Sequence, residues 1–352
     1  MKTVNAYLII LASILIITSC KDGNVKMNTI INEDGTCRRE VAHSTTMARE
    51  RTSPDQDSLW VDGEARFAKL ATDLLCVDSM ISNDPTFDGD TVTASYYRDF
   101  DSVEEMSLNT PLRLNGTPLK SSAKLEKHFR WFYTEYVYTE TFASLGSTFP
   151  VSPEKYADAD TVRFWFTGEP NLIAGLSGAE ASNKLEGIEQ KMSQWFNDAL
   201  LTIIFNYIES RYDSISNAPV NKEVFVSMKD SVIQHSNLPV SDAKLAEAFR
   251  ATYHSDAYDV FFNEATPLGA ELSSIVNDKL YPFIFGVTYT LQLPGSEVQT
   301  FPLTGERLIP GDYTITATSQ VTNIWAWAVS ALIILAAIAL RLWLPRRKTT
   351  GF

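Results

Sequence analysis

The feature that most limits this chain is an apolar run of 21 residues near its end, 324–344, reading IWAWAVSALIILAAIALRLWL. As a helix it is roughly 32 Å long, enough to cross a hydrocarbon layer of about 30 Å. Trp325 and Trp327 stand at one end and Trp343 at the other, where indoles settle at membrane–water interfaces. Arg341 is close enough to the end to extend its charge outward, and Arg346, Arg347 and Lys348 follow directly. Cations flanking a span stay on the cytoplasmic side, so the residues ahead of Ile324 are expected outside the cytoplasm. Residues 322–345 thus read as one transmembrane helix and 346–352 as a short basic cytoplasmic tail. A buried core helix would leave this girdle of Trp and cations unexplained.

The other end, MKTVNAYLIILASILIITSC, has one cation, Lys2, then a twelve-residue run from Ala6 to Ile17 that is apolar but for Ser13, then Thr18, Ser19 and Cys20. Twelve residues make a helix of roughly 18 Å, too short to span. A short apolar run behind a cation and ahead of small residues is a secretion signal. Ile17-Thr18-Ser19-Cys20 resembles a bacterial lipobox, which implies that 1–19 is a signal peptide, cleaved before Cys20, and that Cys20 receives acyl chains on its sulfur and new amino group. The alternative is ordinary cleavage nearby with Cys20 incidental. Both ends place the bulk of the chain outside the cytoplasm.

All 43 Asp and Glu lie between positions 21 and 321, whereas five of the 30 Lys and Arg lie outside that stretch. The exported part therefore has 25 cations against 43 anions, a net charge of −18. Such a surface repels nucleic acid and anionic headgroups and favours solubility or basic partners. With Cys20 acylated, Cys37 and Cys76 remain. An extracytoplasmic compartment permits them to pair, but Cys76 sits in the apolar run LLCV and a buried thiol is the competing reading.

Between the anchors the pattern is β at both ends and helical in the middle. NVKMNTIINEDGTCRREVAHST reads as a hairpin with Asp34-Gly35 in its turn, and TVTASYYRDF (91–100) as a strand. Over 178–212 apolar residues recur at steps of three and four, including Leu185, Ile188, Met192, Trp195 and Ile204, which marks one face of a long helix. Further helical patterns cover 220–233, 241–253, 256–264 and 268–280. FIFGVTYTLQL (283–293), EVQTF (297–301) and DYTITATSQ (312–320) return to strand. The expected fold is α+β, an antiparallel sheet formed from N- and C-terminal segments with a helical insertion: a β-rich part over 20–150, a helical part over 151–281, and strands over 282–321 completing the sheet. About four residues separate Cys20 from the first strand and about three separate the last strand from the span. At roughly 3.4 Å per residue neither linker reaches beyond ~15 Å. The strands near 24–32 and 312–320 are therefore expected close together, in one sheet.

The lipobox, the Asp34-Gly35 hairpin and the terminal span with its basic tail together resemble a loose class of uncharacterised bacterial envelope lipoproteins, among them LppM-like proteins. That resemblance implies a β-containing ectodomain held at the inner membrane and a lipid-binding role; it carries over no functional residue.

Chemistry is harder to find. The four histidines form no zinc-protease helix, and His254-Ser255-Asp256 puts three reactive side chains in sequence without triad geometry. GLSG (175–178) reads as a turn ahead of the long helix. Asp84, Asp88 and Asp90 in NDPTFDGDT are weak metal ligands, since the loop lacks the closing glutamate of a calcium site. No phosphate or dinucleotide loop occurs, so no cofactor is expected, and no catalytic residue is assigned. The densest aromatic stretch, FRWFYTEYVYTETF (129–142), carries seven rings in fourteen residues. Read as one central strand, it buries Phe129 and Trp131, while Tyr136 and Tyr138 pack or line a groove for an apolar ligand. Three functions remain: a non-enzymatic envelope protein contacting the bilayer and other envelope proteins, an apolar-ligand or lipid-binding module, and a hydrolase of envelope polymers.

Overall fold

The computed structural model describes residues 23–46, 75, 77, 79–88, 91–114, 117–235, 242–284 and 286–343. The chain opens with β1 (Gly23–Ile31) and β2 (Cys37–Thr46), an antiparallel pair. In their turn the Asp34 carboxylate accepts hydrogen bonds from the Thr36 amide (2.9 Å) and hydroxyl (2.7 Å). Gly35 takes φ 101, a conformation that a Cβ would strain. The hairpin read from the sequence is therefore present.

β3 (Ile81–Ser82), β4 (Thr86–Asp88) and β5 (Thr91–Phe100) follow, then α1 (Val103–Leu108), the short pair β6 (Arg113–Leu114) and β7 (Thr117–Pro118), and a hairpin of β8 (Ser121–Phe129) and β9 (Tyr133–Phe142). The helical middle comprises α2 (Ala159–Thr167), α3 (Gly178–Ser210), α4 (Lys222–Ser227), α5 (Lys229–His235), α6 (Asp242–Tyr253) and α7 (Pro267–Ile284). The chain returns to strand with β10 (Gly286–Gln292) and β11 (Gln299–Thr304), then α8 (Gly305–Leu308), β12 (Tyr313–Thr322) and α9 (Ile324–Trp343).

Two sheets result. The larger runs β11-β10-β1-β2-β5-β3, with β4 also on β5; the smaller runs β12-β9-β8. N- and C-terminal segments do meet in the larger sheet, but its β1–β10 pair is parallel while the other strand pairs are antiparallel. The expectation that the 24–32 and 312–320 strands share a sheet is corrected: β12 pairs with β9 in the smaller one. Alternating residues turn inward from both sheets: Val25, Met27, Thr29 and Ile31 on β1, and Tyr136, Tyr138, Glu140 and Phe142 on β9. The two inner faces close on one apolar core.

The direction of β1 is a second correction. The turn after β1, not its start, faces the α9 end of the smaller sheet: the Glu33 carbonyl accepts from Lys127 Nζ (2.8 Å) and Tyr136 OH (3.3 Å). Independently, β10 runs parallel to β1 and is followed by Gly295, where an added Cβ would lie 2.9 Å from the Gln320 carbonyl oxygen, two residues before β12 ends. Gly23 consequently lies at the end of the sandwich remote from α9. Short linkers alone could not show this, because strand direction is set by pairing partners hundreds of residues away.

α3, 33 residues and about 50 Å long, joins two cores. It starts at a capping box in which Ser177 accepts from the Glu180 amide and the Glu180 carboxylate accepts from the Ser177 amide. Its first half gives Ile188, Met192 and Trp195 to the sandwich core; its second half gives Leu201, Ile204, Phe205 and Ile208 to a helical core with α4 to α7. There Phe225 is packed among Phe205, Tyr212, Tyr253 and Tyr258 at centroid distances of 5.0–5.4 Å. Asp198, between the halves, accepts from Tyr156 OH (2.6 Å) and pairs with Lys155 (3.2 Å) and Lys229 (3.3 Å), fastening the two parts along one helix.

Where α8 crosses the end of α7, a Cβ on Gly305 would sit 1.6 Å from the Pro282 carbonyl oxygen. Backbone meets backbone there, so no side chain can give way. Gly305→Ala is expected to destabilise the fold by about 1–3 kcal/mol as overpacking does, read as a lowered urea midpoint.

Candidate functional site: an aromatic collar at the base of the apolar helix

α9 follows β12 after one residue, Asn323, and that residue is a clamp. Its amide N–H donates to the Phe132 carbonyl (2.9 Å), its side-chain Nδ2 donates to the Arg130 (2.8 Å) and Trp131 (3.4 Å) carbonyls, and its Oδ1 accepts from Thr134 (3.1 Å). The tip of the β8–β9 hairpin, residues 130–132, is thereby fixed against the start of α9. Rings complete the joint. Phe129 stacks on Trp325 at 6.2 Å, Trp131 meets Trp325 edge-on at 5.4 Å, and Phe132 lies 4.4 Å from Trp327. Trp131 Nε1 donates to Ser330 Oγ at 2.9 Å.

This reverses the sequence reading of 129–142. That stretch is a strand end, a tip and a second strand, because Arg130 N–H bonds the Tyr133 carbonyl (2.8 Å) and turns the chain. Phe129 and Trp131, expected in the core, are exposed by 59% and 45%, and Phe132 beside them by 40%. Tyr136 and Tyr138, expected either to pack or to line a groove, are buried. The central position of β9, between β12 and β8, is as expected.

Above the collar, the sandwich encloses an ion pair. Arg39 and Glu140 have fully buried side chains and meet at 2.8 Å. The Glu140 carboxylate also accepts from Tyr138 OH (2.7 Å), Tyr289 OH (2.9 Å) and Ser121 Oγ (2.9 Å), while Arg39 Nε donates to Thr29 Oγ1 (3.1 Å). Burial alone would raise the Glu140 carboxyl, yet the Arg39 charge and these hydrogen bonds carry it below its ordinary value. Burial pushes the Tyr138 and Tyr289 phenols upward, so both stay protonated donors. All of these side chains but the half-buried Ser121 are enclosed, and the cluster joins the two sheets. Period-2 counting back from Phe142 puts Glu140 on the inner face, the one sequence signal that could have found it; Arg39 likewise alternates with Cys37 and Val41.

The remaining expected sites do not converge. Cys37 is a free thiol buried against Met106 (3.6 Å), its pKa pushed up to about 12 by burial, so it is unreactive at neutral pH. Its suggested partner Cys76 and the lipidation site Cys20 lie outside the described residues, as does Asp90. Asp84 and Asp88 are exposed beside β4, and among the described residues no group of three acidic, His or Cys side chains is arranged to hold a metal ion. His254 is exposed at φ 52 after α6, and Ser255 Oγ accepts from the Ala257 amide, so the His254-Ser255-Asp256 run is a turn. GLSG forms the turn and cap of α3, as expected. A shallow cleft near Val260, Phe262 and Thr266 is bordered by the Arg250–Asp259 ion pair, which satisfies both charges.

The geometry therefore defines a two-sheet sandwich with a helical extension, seated directly on an apolar helix. No known family, curated protein or solved structure matches the chain.

Proposed function

We propose that the protein is a single-pass extracytoplasmic protein of the bacterial inner membrane, held by α9 with its C-terminus in the cytoplasm and acting through non-enzymatic contacts with other envelope proteins. One observation carries this: α9 is long and apolar enough to span, and Ala326 is its one buried residue. A helix of twenty residues with that much exposed apolar surface needs a cover, and its length matches that of a bilayer's hydrocarbon layer, which supports this reading. The acidic exported surface and the clamped base support a fixed platform that presents the helical subdomain away from the membrane.

A signal peptide over 1–19 and acylation of Cys20 belong to the same proposal. Three residues reach at most about 11 Å, and Gly23 lies at the end remote from α9. An acylated Cys20 therefore enters the bilayer of α9 only with the first part of β1 lifted out of the sheet.

The test is alkaline carbonate extraction of membranes with protease applied to spheroplasts. The full chain is expected in the pellet with its bulk digested from outside, and a chain of residues 21–321, which lacks both anchors, in the soluble fraction. A wild-type chain released by carbonate, or a bulk protected from protease, would refute the reading. Intact mass of the mature protein reports acylation separately.

A further inference from the structure

We propose that the β8–β9 hairpin tip is a second membrane element, a wedge that enters the headgroup–acyl boundary of the leaflet α9 crosses; this rests on α9 being a span. The first argument is depth. α9 has 20 residues, about 30 Å, which matches the hydrocarbon thickness and leaves no slack. Ser330 lies six residues past Ile324, roughly 9 Å into the helix. Because Trp131 Nε1 donates to Ser330 Oγ, the indole must sit at nearly that depth whenever α9 is centred. Keeping the tip in water would require α9 to move outward by the same ~9 Å, drawing Arg341 toward the bilayer centre, where an arginine costs about 2.5–3.5 kcal/mol.

The second argument is chemistry. Phe129, Trp131, Phe132, Trp325 and Trp327 form one exposed aromatic surface, the residue types that favour the interface. Irregular backbone is tolerated at such depth only when its polar groups are satisfied internally. The Arg130, Trp131 and Phe132 carbonyls each accept a hydrogen bond from Asn323, so the tip meets that demand at those groups. Arg130 is exposed at the tip, and its long side chain can reach back to lipid phosphates. The partner is a phospholipid bilayer surface, and the consequence is an ectodomain held in one orientation by two contacts.

The test reconstitutes the full chain in phosphatidylcholine vesicles whose acyl chains carry bromine near the headgroup, a short-range quencher of indole. The emission lost on Trp131→Phe isolates Trp131, and that lost on Trp325→Phe with Trp327→Phe isolates the helix base. We expect the Trp131 component to be quenched as strongly as the helix-base component. Strong quenching at the helix base with none at Trp131 would overturn the wedge and leave the anchor standing. Quenching of neither would overturn the anchor, and the wedge with it. Because Trp131→Phe removes the bond to Ser330, a photoreactive phenylalanine at position 132 gives a check that leaves the clamp intact: acyl-chain adducts support the wedge and their absence overturns it.

Discussion

Glu140→Leu is expected to lower the stability of the folded chain by about 3–5 kcal/mol, because it strands the Arg39 guanidinium, fully buried, without its counter-charge. The loss should exceed that of the paired substitution Arg39→Met with Glu140→Leu, which removes both charges and leaves only neutral hydroxyls, those of Thr29, Ser121, Tyr138 and Tyr289, at the interface. Urea unfolding of the full chain in detergent, run as a double-mutant cycle, measures the difference. If the double variant is as unstable as the single one, the ion pair is not what the cluster contributes, and the tyrosine hydrogen bonds hold the sheets instead.

The same pair gives stability a pH dependence of definite sign. The Glu140 carboxyl titrates lower in the folded protein than in the unfolded chain, so the folded state binds fewer protons. Its contribution is complete above the unfolded value of about 4.3 and disappears as the pH falls through the folded value. His43 acts in the same direction, since burial lowers its imidazole; its contribution declines as the pH falls from about 6.5. Stability should therefore fall on acidification in two stages. Glu140→Gln should reduce the lower stage, to which the paired Asp198 carboxylate, also held below its ordinary value, contributes, and leave the upper.

Trp195→Ala is the second large expected effect, a loss of about 3–5 kcal/mol. The indole is 1% exposed and is ringed by Phe149 (5.4 Å), Phe166 (6.0 Å) and Phe283 (6.1 Å), and its Nε1 donates to the Val151 carbonyl (2.8 Å). Truncation opens a cavity among rings held by three separate segments and removes the donor to the half-buried Val151 carbonyl, so the site cannot collapse cheaply. The position also decides where the damage falls. Trp195 belongs to the sandwich core, whereas Phe225 centres the helical one, so Trp195→Ala should loosen amide protection in β10 and α2 before that of α4 and α6. Uniform loss across both cores would show that α3 makes them one cooperative unit.

Much of the secondary structure was legible residue by residue. The Asp34-Gly35 hairpin, the strand at 91–100 and the long amphipathic helix around Trp195 lie where their local patterns put them. The strand at 129–142 was misread because seven rings in fourteen residues hide a turn: no Gly or Pro marks it, and the bend depends on Asn323, nearly two hundred residues later. For the same reason Phe129 and Trp131 passed for core. Their ring partners are Trp325 and Trp327, nearly two hundred residues later.

What the amino-acid sequence determined alone is whatever depends on a few consecutive residues: the length, apolar character and flanking charges of 324–344, the turns and caps, the helix periodicity. Tertiary structure decided which strands pair, that β1 begins at the end remote from α9, and that Arg39 meets Glu140 across 101 residues. The division is physical. Local signals act through backbone sterics and side-chain spacing within one or two turns, whereas strand partners and buried charge pairs are selected by the free energy of closing a whole core, which no short window contains.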